Sequence, residues 1–186
     1  MFLKKLFLSI LNPKKVLKLI SENPEPEKAV YWMWIFSIGV IFFGLIFTYG
    51  KFKIAPVTMY PLYIFFSWIL ISLSILISAK LFKIDIAFSH VAEAISFVFA
   101  PLLVILPPVF PFLYLKGYEF AYSSLVMKCI FAIYGVWVIL FIFFTIKEFA
   151  ETNTIKSIAI FILSMAIIAM VYIPLYLFVL SKIPVW

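Results

Sequence analysis

Five apolar runs dominate this chain: Ala29–Tyr49, Tyr60–Ala79, Val91–Leu115, Leu125–Ile146 and Ile155–Leu180. Each holds roughly 20 to 26 residues, which as helix at about 1.5 Å per residue matches the roughly 30 Å hydrocarbon layer of a bilayer. Lipid offers the backbone no hydrogen-bond partner, so runs of this kind cross it as helices. The expected fold class is an all-α integral membrane protein, a five-helix transmembrane bundle over residues 29–186 behind an N-terminal amphipathic interfacial helix within a basic collar, residues 1–28. A hydrophobic share of 67% agrees, since soluble domains are about half apolar. The links between runs, about 8 to 11 residues each, leave no room for an inserted soluble domain.

The collar carries its own start and stop signals. Phe2, Leu3, Leu6, Phe7 and Ile10 recur at steps of three and four on one side of a helix, as a segment lying in the membrane interface requires. Asn12 caps and Pro13 opens a second helix, with Val16, Leu17 and Ile20 on one face and Lys14, Lys15 and Lys18 on another. Asn23, Pro24, Glu25 and Pro26 then end it. The apolar stretch Leu6–Leu8 is too short for a signal peptide and no small-residue cleavage site follows, so the segment reads as retained.

All 15 basic residues are lysine, set against 8 acidic ones for a net charge of +7. The lysines gather at run ends rather than along one face, which argues against nucleic acid and for topology. With the amino terminus inside, Lys4, Lys5, Lys14, Lys15, Lys18, Lys28, Lys80, Lys83, Lys147 and Lys156 are cytoplasmic. Lys51, Lys53, Lys116, Lys128 and Lys182 are outside. The expectation is a multi-pass cell-membrane protein with a cytoplasmic amino terminus and an outer carboxyl terminus. Lys4, Lys5, Lys14, Lys15 and Lys18 form the basic surface that meets anionic lipid. Tyr31, Trp32, Trp34, Tyr60, Tyr63, Tyr114, Tyr118 and Tyr122 suit interfacial belts, whereas Trp68 and Trp137 fall mid-span and pack inside.

Small residues let helices approach closely in lipid. Ala92, Ser96 and Ala100 recur every four residues on the third run and mark it as central; Ser74 with Ser78, and more weakly Gly39 with Gly44, repeat the signal. Cys129, the lone cysteine, is expected to pack as a small hydrophobe. The third run also carries Pro101, Pro107, Pro108 and Pro111, so its helix must bend, break or re-enter, either beside a cavity or as a plain kink.

Chemistry-bearing residues are few. His90 and Glu93 are three apart on the third run, with Asp85 near, a spacing that suits a metal ligand pair or a proton path. The competing expectation is a structural Glu93 about one turn past the interface, paired with Lys80 or Lys83. Glu148 and Glu151, beside Lys147 and Lys156, read as a solvated turn. A single histidine and the absence of nucleophile-elbow, zinc-protease and phosphate-loop motifs point to no catalytic residues, no metal site and no cofactor.

The order of parts, with FSHVAEAISFVFAPLL at Phe88–Leu103 leading into prolines and Thr154, Ile155, Lys156, Ser157 opening the last run, resembles the prokaryotic branch of the Yip family, five-span proteins named for interaction with Ypt and Rab GTPases. The resemblance covers about Asn12 to Ser181. It implies a helical bundle acting in membrane organisation or partner recruitment; the Asp-Leu-Tyr-Gly-Pro type motif of eukaryotic members is absent and no functional residue is carried over. The leading expectation is a non-enzymatic scaffold or adaptor that contacts itself or other membrane proteins. The alternative is a small transporter or channel subunit with a path beside the broken third helix.

Overall fold

The computed structural model describes residues 2–48, 54–102, 105 and 125–182, with side chains at 4–39, 63–102, 105 and 125–174. Every regular element among them is helical: α1 (Phe2–Leu11), α2 (Pro13–Glu22), α3 (Pro26–Thr48), α4 (Ile54–Leu81), α5 (Phe88–Ser96) continued by a 3-10 turn (Phe97–Phe99), α6 (Leu125–Ala150) and α7 (Thr154–Lys182). Three stretches are long and apolar enough to cross a membrane: Tyr63–Leu81 in α4, Leu125–Ala150 and Thr154–Pro174 in α7. Only 17% of the α7 stretch is buried within the protein. Its outward face includes Ile162 and Met170, and that of α6 includes Ile133 and Val136, all well exposed. Apolar faces of this extent are suited to lipid and would associate in water.

The local signals act as their chemistry dictates. The Asn12 side chain accepts the Lys15 amide at 3.1 Å and Pro13 occupies the first turn, where a missing N–H costs nothing. Asn153 caps α7 in the same way, accepting the Lys156 amide at 2.9 Å. Helix α2 ends at Glu22 and α3 begins at Pro26, with the proline-rich link between.

Helix α5 is the centre of the described structure. It packs against α2, α3, α4 and α6, and residues 91–100 are all buried. Ala92, Ser96 and Ala100 are 3%, 0% and 0% exposed, so little side chain stands between this helix and its neighbours. The serines of α4 do the same work against α7: Ser74 and Ser78 are buried, and the Ser164 hydroxyl reaches the Ser74 carbonyl at 3.4 Å. Gly39 differs from expectation, because a side chain there would meet nothing within 4 Å. Cys129 is another correction: it faces outward on α6 instead of packing in the interior.

Pro101 accounts for the change of helix type. In an α-helix its amide would serve the Phe97 carbonyl, but proline has none. The Ala100 amide bonds Phe97 instead, at 3.0 Å, which is the tighter 3-10 pattern. Neighbouring helices supply donors to this region: the Trp68 indole N–H on α4 donates to the Ala92 carbonyl at 2.7 Å, and the Tyr134 hydroxyl on α6 to the Val98 carbonyl at 3.2 Å. Trp68 is thus an interior residue, and Trp137 packs against the same core between Tyr134 and Phe141. Of the aromatic residues assigned to the interface, Tyr31, Trp34 and Tyr63 are exposed, but Trp32 is a core residue, packed on Phe36.

Candidate functional site

Lys4 and Lys5 are neighbours on a helix, so their side chains project about 100° apart. Lys4 faces out; Lys5 turns in and is 0% exposed. Its ammonium donates to Glu93 Oε1 at 2.7 Å and to the Asn23 carbonyl at 2.6 Å, and lies 3.6 Å from Glu25 Oε2. The other Glu93 oxygen, Oε2, accepts the Glu25 amide, and the Glu25 Oε1 oxygen accepts from Lys28. Lys5, Glu25, Lys28 and Glu93 therefore form a neutral group of two cations and two anions.

This cluster corrects two expectations. Lys5 is an interior partner rather than part of the basic surface, while Lys4, Lys14, Lys15 and Lys18 are exposed. Glu93 is paired with Lys5 rather than Lys80 or Lys83, both of which are exposed. Burying two charges is costly unless their geometry is good and their remaining polar atoms are satisfied. Both conditions hold for Glu93, since each oxygen has a donor. The pair joins α1 to α5, and the Asn23 and Glu25 contacts bring in the link before α3, so the collar is packed onto the bundle by polar contacts as well as by Leu6, Val16, Leu17 and Ile20 in the core.

His90 does not join Glu93. Its ring lies over Phe149 of α6, centroids 5.6 Å apart. Asp85 is exposed in the link before α5. Among the described residues no group of three or more histidine, cysteine, aspartate or glutamate side chains is placed to hold a metal ion. Pro101 is partly buried at the end of the 3-10 turn, and the proposed cavity at Pro107, Pro108 and Pro111 lies outside the described residues.

The face of α1 is likewise divided. Leu6 is buried and Ile10 packs against the core, whereas Phe7 and Leu11 are 68% and 80% exposed. What a wheel of apolar positions reads as one lipid-facing side is two, one for the bundle and one free. Comparison with family models, curated proteins and solved structures found no match to this chain.

Proposed function

We propose that this chain is a non-enzymatic membrane scaffold or adaptor of Yip-like organisation, with five spans, a cytoplasmic amino terminus and an outer carboxyl terminus. In this reading α1 and α2 lie along the cytoplasmic leaflet, Phe7 and Leu11 dip into its surface, and Lys4, Lys15 and Lys18 meet anionic headgroups. The partners are lipid and other membrane proteins or further copies of the chain.

The observation that favours a scaffold over a transporter is the engagement of Glu93. A carboxylate that carries protons or ions must exchange its partner in every cycle. Glu93 instead has one oxygen on Lys5 and the other on a backbone amide of the collar link, so releasing it means undocking the collar. The test is Glu93→Gln in proteoliposomes loaded with a pH-sensitive dye, at equal incorporation. No proton flux above empty vesicles is expected in the parent or the variant. A flux present in the parent and lost in the variant favours the transporter reading and overturns this one.

A further inference from the structure

A cleft of about 410 Å³ opens where α2 meets the end of α6. Its lining joins Lys14 and Leu17 of α2, Phe144, Lys147 and Glu148 of α6, and Glu151 just beyond. Lys14 is held over the Phe144 ring, its ammonium 5.0 Å from the centroid. Leu17 is buried and Phe144 packs against the core, so the floor is apolar, while Lys14, Lys147 and Glu151 are exposed and Glu148 is half-buried. Among the described residues none of these four charges forms an ion pair.

We propose that this cleft is a headgroup site for an aminophospholipid of the phosphoethanolamine type. The four charges sum to zero, so the cleft has no net attraction for a simple anion or cation; it complements a ligand that carries both signs. Lys14 and Lys147 face the phosphate, and Glu148 and Glu151 take the primary ammonium, whose N–H groups donate to carboxylates as a quaternary amine cannot. The depth also fits. Helix α6 has 26 residues, about 39 Å at the usual rise, longer than the hydrocarbon layer, which puts its last turn among headgroups and lets Phe144 and Leu17 meet the glycerol and first acyl carbons. Lys4, Lys15 and Lys18 do not line the cleft and act as diffuse basic surface, whereas Lys14 shares the cleft with Glu148 and Glu151.

Native mass spectrometry of the intact protein released from nanodiscs of mixed phosphatidylethanolamine, phosphatidylcholine and phosphatidylglycerol, all with the same acyl chains, tests the assignment. Phosphatidylethanolamine should be retained over the other two, and Lys14→Gln with Lys147→Gln should lower that retention about fivefold. Glu148→Gln with Glu151→Gln removes the ammonium partners and leaves the lysines, so it should invert the preference toward phosphatidylglycerol, a gain that an unfolded variant cannot produce. Equal retention of the three lipids by the parent, or an unaltered preference in the glutamine variants, overturns the proposal. So does saturation of the site by soluble phosphoethanolamine as tightly as by the lipid, which would assign the cleft to a free metabolite.

Discussion

The Lys5 ammonium and the Glu93 carboxylate, 88 positions apart, meet at 2.7 Å with neither side chain reaching solvent. Removing one member strands the other. Lys5→Met should destabilise the protein by about 3 to 5 kcal/mol, the usual cost of an uncompensated buried charge. Adding Glu93→Gln should recover most of that loss, because glutamine keeps an acceptor for the Glu25 amide without the charge. Unfolding in mixed micelles, compared over the parent, both single variants and the double variant, reads the coupling; additive losses would mean that the pair contributes nothing as a pair.

Glu25 makes a smaller, pH-dependent contribution. The hydrogen bond from Lys28 holds its carboxyl below the usual 4.5, helped by the charge of Lys5 and opposed by partial burial. A folded-state pKa below the unfolded one means that the stabilisation is present above the unfolded value and is lost as pH falls through the folded one. The pair is partly solvated, so the effect stays within about 1 kcal/mol. Lys28→Gln should therefore cost stability at neutral pH and converge on the parent in acid. A constant offset down to about pH 3 would separate Glu25 from this behaviour.

Pro101→Ala should supply an amide at position 101 that can take over the Phe97 carbonyl from Ala100 and convert the Phe97–Phe99 turn to α-helix. Hydrogen exchange resolved to single residues is the measurement. The new amide at position 101 is expected to be protected at the level of the α5 amides. Rapid exchange there would show that packing around Phe97–Ala100, and not the missing N–H, sets the 3-10 geometry.

Orientation is open to accessibility labelling. A Cys129→Ala background should fold as the parent does, since Cys129 is exposed and its removal leaves no cavity. Single cysteines placed at Lys83 and Glu151 should react from the cytosol, and those at Lys53 and Trp186 from outside. Labelling of positions 53 and 186 only from the cytosol would reverse the proposed topology.

How much of this was legible in the sequence follows from the range of each interaction. Helices α6 and α7 run Leu125–Ala150 and Thr154–Lys182, close to the apolar runs Leu125–Ile146 and Ile155–Leu180, because composition along a few turns decides whether a segment suits lipid. The Asn12 cap and the Asn23–Pro26 break are local in the same way. The Lys5–Glu93 pair has no local signature. Nearness in sequence pointed Glu93 toward Lys80 or Lys83, and lysine position pointed Lys5 toward lipid, yet the docking of α1 against the α5 turn decides both. His90 with Phe149, and the cleft between α2 and α6, likewise depend on which helices become neighbours. Two consecutive lysines gave no angular clue either, since Lys14 and Lys15 are also neighbours on a helix and both are exposed.

The separation of Lys5 from Glu93 also has a consequence for biogenesis. Helix α1 is synthesised before α3, α4 and α5, so its lysine exists without its carboxylate until the chain has been extended through position 93. During that interval Lys5 has no Glu93 to pair with, and α1 cannot adopt its final seat. The ion pair closes only once α5 is packed against α3 and α4, which makes seating of α1 a late event that reports correct packing of the helices before it. A chain in which α5 fails to pack is left with Lys5 and Glu93 both unpaired and with α1 undocked.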